Sequence, residues 1–90
     1  MDARWDPAKA KANLKKHGVR FSDAESVLFD PLSLTMEDET AEGEQRFISI
    51  GLNAGGRLVV VVYTHRNDEI RLISARFANR SEFQSYEKVI

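Results

Sequence analysis

Arg46, Arg66, Arg71 and Arg76 all fall within or beside stretches of β-forming residues, where a sheet would hold their side chains rigidly. Arginine suits phosphate chemistry because its planar fork grips two oxygens at once and its charge is permanent. Glu44 stands two residues ahead of Arg46 and could act as a base or hold an arginine in place. Tyr63 ends an apolar run; its hydroxyl could reach a substrate or its ring stack on a nucleobase, unless it is simply a sheet tyrosine with a buried ring. His65 and His17 add proton-transfer capacity, histidine being the side chain that changes charge near neutrality. His17 also fits a plainer role at a helix C-terminus. Lys15 and Lys16 are candidates for sequence-independent phosphate contacts. Two distant histidines and no cysteine make a poor zinc site, so neither metal nor cofactor is expected.

Strand parity sorts the arginines. Without a bulge, Arg76 shares a face with Leu72 and Ser74, and Arg71 shares the other with Ile73 and Ala75, so these two should not line one site. Arg46 has the parity of Ile48 and Ile50, and exposing it requires a frayed or bulged strand start. Each of the four has the alternative of an ordinary surface or ion-paired arginine.

The elements that must position these residues can be read from local signals. Asp6-Pro7 opens a helix over Pro7–Lys16, and His17-Gly18 closes it. Ser22 to Glu25 has capping-box spacing for a second helix, which should run through Phe29 and stop at Asp30-Pro31. Leu32–Met36 alternates apolar and polar residues, as a half-buried strand does. Gln45–Leu52 and Arg57–Thr64 are joined by Asn53-Ala54-Gly55-Gly56, a hairpin signal. After a turn at His65–Glu69, Ile70–Ala78 reads as a further strand, and a last helix starts near Asn79 or Arg80 with Phe83 and Tyr86 on one face. The prediction is one α+β domain over residues 1–90: two N-terminal helices packed on an antiparallel meander of about four strands, closed by a C-terminal helix. No glycine-rich phosphate loop follows a strand, which argues against a nucleotide-binding α/β sheet.

The net charge of −1 argues against a nucleic-acid partner until its distribution is seen. Residues 1–20 carry six Lys/Arg against two Asp, residues 21–44 carry eight Asp/Glu with no cation, and residues 45–90 carry seven Lys/Arg against four Asp/Glu. Such a chain can present a basic face to RNA and an acidic one elsewhere. The acidic run around Glu37-Asp38-Glu39 reads as a solvated loop, or as a dock for a basic segment of a partner. The longest apolar run, Leu58 to Tyr63, is far shorter than the roughly 20 residues that span a bilayer. The N-terminus lacks the basic start and apolar stretch of a signal peptide, so a cytoplasmic location is expected.

Four ordered stretches carry a family resemblance. They are Trp5-Asp6-Pro7 with Lys9 and Asn13; Lys16-His17-Gly18-Val19 with Phe21 and Ala24; Gly43-Glu44-Gln45-Arg46 leading to Ile50-Gly51; and Gly56-Arg57-Leu58 through Val62-Tyr63-Thr64 and Arg66 to Ile70–Arg76, with Tyr86-Glu87 beyond. Together they resemble the BrnT family of toxins, which have a RelE-like ribonuclease fold. The resemblance implies a toxin that cuts RNA metal-independently and blocks translation. It also implies a BrnA-type antitoxin partner, a heterotetramer of two toxins and two antitoxins, and DNA contact only through the antitoxin. On this basis Arg46, Arg76, Arg66, Glu44, Tyr63 and His17 are the candidate catalytic residues; Lys15, Lys16, Arg71 and His65 are the candidate RNA contacts. The resemblance departs at one place: many members of the family carry a His just ahead of the Gly-Glu-x-Arg stretch, where this chain has Thr40-Ala41. That departure keeps a second reading open: a catalytically weak binding module that serves as the antitoxin's partner in a repressor complex. A small-molecule enzyme is a third reading, and no cofactor motif supports it.

Overall fold

The computed structural model describes residues 3–40 and 42–88. Helix α1 (Pro7–His17) forms where its signals placed it. The Asp6 carboxylate accepts from the Ala8 N–H at 2.8 Å, and Pro7 takes the first helical position, whose N–H would have no intrahelical partner. Gly18 ends the helix in the left-handed region at φ 73°, donating its N–H to the Leu14 carbonyl at 2.9 Å.

The second helix differs from the expectation. Helix α2 (Phe21–Ala24) starts one residue early with Arg20 at its N-cap and no side-chain cap bond, and then tightens into a 3₁₀ turn at Glu25–Phe29. The Ser22–Glu25 capping box is therefore absent. Packing explains this, because Phe21, Ala24 and Val27 are all buried and lie three apart. Three residues per turn is the 3₁₀ period, which keeps all three on one face. The turn ends at Asp30, extended ahead of Pro31.

The sheet is mixed and five-stranded, which corrects the expected four-stranded antiparallel meander. Its strands are β1 (Ala3–Arg4), β2 (Leu34–Glu37), β3 (Phe47–Leu52), β4 (Leu58–Arg66) and β5 (Glu69–Phe77), in the order β1-β5-β4-β3-β2. The additional strand, β1, pairs parallel with β5 through Ala3 and Arg4 opposite Ile70 and Arg71. Two residues have no readable periodicity. The expected turn at His65–Glu69 shrinks to Asn67-Asp68, at φ 52° and 65°, so His65 and Arg66 belong to β4. Positive φ at both central residues gives a two-residue hairpin, and Asn and Asp tolerate it better than other side chains.

Between β4 and β5 the register slips: Val62 lies opposite Ser74 but Tyr63 opposite Leu72, leaving Ile73 as the extra residue of a bulge. Side chains of Val59, Val61, Tyr63, Ile70, Leu72 and Ala75 consequently share one face, buried against Val19, α2 and the 3₁₀ turn. Arg71, Ser74 and Arg76 share the other face with Thr64, Val62 and Val60. The expectation that Arg71 and Arg76 point opposite ways fails for that one reason. Helix α3 (Arg80–Glu87), opened by an Asn79–Glu82 capping box, covers one end of this second face by laying Tyr86 on Ile50 and Val60.

Two polar clamps complete the fold. Asn13, the one fully buried residue of α1, donates from Nδ2 to the carbonyls of Ala75 (2.8 Å) and Val19 (3.1 Å). Its Oδ1 accepts from the Ala75 N–H at 3.1 Å. The second clamp is Asp30, whose Oδ2 accepts from the Tyr86 hydroxyl at 2.6 Å and the Leu52 N–H at 2.9 Å, while Oδ1 accepts from the Leu32 N–H at 2.9 Å. Gly51 lets that loop approach, since a Cβ there would stand 3.0 Å from the Asp30 carboxylate and 3.2 Å from Val27.

Asn13→Ala would leave the buried Ala75 N–H and C=O without partners, and should cost about 2–4 kcal/mol of unfolding free energy in urea titration. For the second clamp, burial alone would raise the Asp30 carboxyl, but its three hydrogen bonds together outweigh this and hold it below its ordinary value. The Tyr86 phenol is pushed up to about 12 by its bond to Asp30 and by burial. The stability contributed by Tyr86 is thus complete below pH 10.0 and lost as pH rises from there to about 12. The Asp30 contribution is present above pH 3.8 and lost as pH falls below it. Tyr86→Phe should cost about 1.5–3 kcal/mol at neutral pH and flatten the alkaline arm of the stability–pH curve.

Candidate functional site

Three arginines, two from strands and one just ahead of a third, converge on the open face of the sheet. Arg46 immediately precedes β3, Arg66 ends β4 and Arg71 lies near the start of β5. With Glu44, and with Asp6 and Lys9 from the start of α1, they line a pocket of about 120 Å³ walled by Leu72 and Ile73. Thr64 sits opposite Arg71 and has the parity of Arg66, so the three share a face. The buried Thr64 hydroxyl donates to the Gln45 carbonyl at 2.6 Å, and the Asp38 N–H donates to the Arg46 carbonyl at 2.8 Å. Those bonds pin the backbone on either side of the Arg46 nitrogen and carbonyl. The β3 ladder begins only at Phe47, which supplies the frayed start that a partly exposed Arg46 requires. The Arg46 Nε is buried and meets no acceptor among the described residues.

Charge in the pocket is unbalanced, with four cations against two carboxylates. Glu44 accepts from Arg66 Nη2 at 2.7 Å. That bond, with the charges of Arg66, Arg46 and Arg71, holds its carboxyl below the ordinary value even against partial desolvation. A carboxylate held this way is a weak proton acceptor, and its geometry is that of a support for Arg66. The surplus positive charge suits an anion with several oxygens.

A shallower recess adjoins the pocket and shares Lys9 and Ile73 with it; Asn13, Lys16, His17 and Ser74 complete its lining. Lys9, Asn13, Lys16 and His17 are spaced four, seven and eight residues along α1 and so form one helical stripe. That stripe is the signal for Lys9, which, like the N-cap residue Asp6, the sequence analysis did not single out as a site residue. Lys15 is exposed on α1 but lines neither recess.

The remaining candidates lie elsewhere. Arg76 shares the face of Arg71 yet is bound by Glu82 through two bonds of 2.8 Å, Nη1 to Oε1 and Nη2 to Oε2. This pairing raises the Arg76 pKa and lowers that of Glu82, and it ties β5 to the first turn of α3. Tyr63 and His65 are on the opposite, helix-covered face. The Tyr63 hydroxyl pairs with Ser49 Oγ at 3.0 Å, and its ring stacks on Phe47 with centroids 5.9 Å apart. His65 is exposed and stands edge-on to both rings. Thr40 closes a turn by donating its hydroxyl to Asp38 Oδ1 at 2.6 Å. Ala41, the other half of the Thr40-Ala41 departure, lies outside the described residues.

An α+β domain whose open sheet face gathers arginines beside the lysines of α1 carries a local excess of positive charge that suits an anionic partner. The sequence profile of the family described as "Ribonuclease toxin, BrnT, of type II toxin-antitoxin system" matches residues 5–82. This chain belongs to the BrnT family. Its structure is similar to that of the ribonuclease toxin BrnT from Brucella abortus, with a TM-score of 0.65 and 28% sequence identity over 89% of this chain and 99% of that one. A comparison with curated proteins finds no match. Among the described residues no helix is long and apolar enough to cross a membrane.

Inorganic phosphate titrated into the protein should shift the guanidinium resonances of Arg46, Arg66 and Arg71 in NMR spectra and leave Arg76 in place. Shifts at Arg76 alone would move the anion site to the groove beneath α3.

Proposed function

We propose that the chain is a metal-independent endoribonuclease whose scissile phosphate binds among Arg46, Arg66 and Arg71, and whose cutting of RNA blocks translation in the cytoplasm. A BrnA-type antitoxin neutralises it in a complex of two toxins and two antitoxins, with DNA reached only through the antitoxin. The observation that carries this reading is the convergence of three arginines and Lys9 on one small pocket with a carboxylate already committed to Arg66.

The pocket supplies the cations that this chemistry needs, and the adjoining recess supplies His17 as a group that can carry a proton. The ribose 2′-oxygen attacks the adjacent phosphorus, the bond to the 5′-oxygen breaks, and a 2′,3′-cyclic phosphate remains. One proton leaves the 2′-hydroxyl and one arrives on the departing oxygen. Negative charge grows on the non-bridging oxygens, and fixed cations aimed at them are worth about 2.7–4 kcal/mol each when removed singly. Arg46 and Arg71 flank that position from either side of β4, and Glu44 fixes Arg66, at the end of β4, between them. His17 lines the adjoining recess, and histidine is the commonest proton-transfer side chain. Lys9 and Lys16 continue the cationic surface toward the next phosphates along the strand. In this reading Arg76 secures α3, and Tyr63 fills the sheet core.

Purified protein should cut labelled RNA in EDTA, and Arg46→Ala or Arg71→Ala should slow cutting by about 10²-fold or more. Arg76→Ala should lower stability by about 1 kcal/mol and leave the rate within a few-fold. Cleavage that requires added metal would overturn metal independence. The binding-module reading rests on Thr40-Ala41 standing in place of the His that the family resemblance leads one to expect there. It would be established by RNA left intact, with and without ribosomes, by a protein that still binds its antitoxin.

A further inference from the structure

Strand β2 forms an outer edge of the sheet. The Asp38 N–H donates to the Arg46 carbonyl, which sets the alternation of the β2–β3 ladder. Stepping back two residues at a time, Met36 and Leu34, opposite Ile48 and Ile50, also bond inward. Thr35 and Glu37 therefore turn their backbone N–H and C=O groups outward, and no described strand pairs with them. An unpaired edge of this kind is a template for another extended chain.

The side chains beside that edge are apolar. Leu34 and Met36 continue a patch made by Ile48, Ile50, Val60 and Val62, and α3 roofs only part of it, leaving a groove of about 250 Å³. Met36 is 52% exposed at the groove's outer rim. Beyond it stand Glu37, Asp38 and Glu39, within the segment 21–44 that carries eight acidic residues and no cation.

We propose that β2 accepts a sixth strand from the antitoxin. The strand is an extended segment whose alternate apolar side chains cover Met36 and the groove, and whose lysines or arginines lie beside Glu37 and Glu39. This rests on the toxin–antitoxin pairing of the family and not on the arginine pocket. A second copy of the chain would set one acidic segment against another, whereas a basic strand is attracted. A helix laid in the groove would leave the outward groups of Thr35 and Glu37 unused.

The test uses the purified full-length chain and the antitoxin encoded beside it, with affinity read by calorimetry and RNA cleavage by the free toxin read separately. Thr35→Pro removes one outward N–H together with the Thr35–Ser49 hydroxyl pair at 2.8 Å, and spares the inward ladder, since proline is tolerated on an edge facing solvent; Thr35→Val, which removes only the hydroxyl pair, is the control. Met36→Glu places a charge on the groove rim at an exposed position. Each variant except that control, and Glu37→Lys with Glu39→Lys, should weaken antitoxin binding by about 10-fold or more, a change of 1.4 kcal/mol. Circular dichroism should show the fold intact, and RNA cleavage should be unchanged. Unaltered affinity in folded Thr35→Pro and Met36→Glu overturns the proposal. Weakening by Met36→Glu alone overturns it in favour of a helix in the groove. A toxin dimer that forms without antitoxin and is dissociated by Met36→Glu overturns it in favour of self-association. A wild-type chain that fails to cut RNA bears on the nuclease reading and leaves these affinities to decide the edge.

Discussion

The arrangement depends on one amide side chain placed against one exposed stretch of backbone. Strand β1 covers the outer edge of β5 only at Ile70 and Arg71, and past the bulge at Ile73 the Ala75 N–H and C=O face outward. Both groups are buried by α1, so they must be bonded or their desolvation is uncompensated. Asn13 supplies a donor and an acceptor in the geometry of a strand neighbour. Helix α1 is rich in Ala and Lys with little apolar surface to bury, so this amide fixes its depth and rotation. Once Asn13 points at β5, the residues four before, three after and four after it are Lys9, Lys16 and His17, and all three line the recesses beside the open face. The contact that closes the sheet thereby also aims the cations.

The bulge acts with it. One extra residue in β5 brings Arg71 onto the face that carries Thr64 and Arg66, and lets Ala75 remain in the core. Without Ile73 out of register, one of those two requirements would fail. The second face is then divided along its length. At the hairpin end, Arg71, Arg66 and Arg46 crowd together with Glu44; at the other end, Arg76 is taken up by Glu82 and the sheet becomes apolar beneath α3. Like charges gathered in one pocket repel one another, and the buried Arg46 Nε, which meets no acceptor among the described residues, adds to that cost. A phosphate bound as proposed would offset both.

Charge separation along the chain becomes separation in space. The basic ends of the sequence meet around the pocket, while the acidic middle runs through β2 and the loop after it, at the far side of the strand order. A net charge near zero therefore conceals two surfaces of opposite sign, each suited to a different kind of partner. Membership of a family of ribonuclease toxins of type II toxin–antitoxin systems implies an antitoxin partner for this chain.

Local order was largely present in the sequence. Asp6-Pro7 and Gly18 bounded α1, Asn79 with Glu82 opened α3, and the glycine-rich Asn53–Gly56 stretch joined β3 to β4, because capping and turn chemistry act over a few residues and need no tertiary partner. The ordered motifs were likewise enough for the family. Long-range pairing was another matter. A two-residue β1, the 3₁₀ turn dictated by burial of Phe21, Ala24 and Val27, and the bulge at Ile73 leave no local signature, being settled by contacts between residues far apart in the chain. The sequence singled out four arginines as candidate phosphate ligands, but not which of them share a pocket. The structure assigns Arg46, Arg66 and Arg71 to one site and gives Arg76 to Glu82, since strand parity can be inverted by a single unpaired residue and only the packed sheet records where that residue lies.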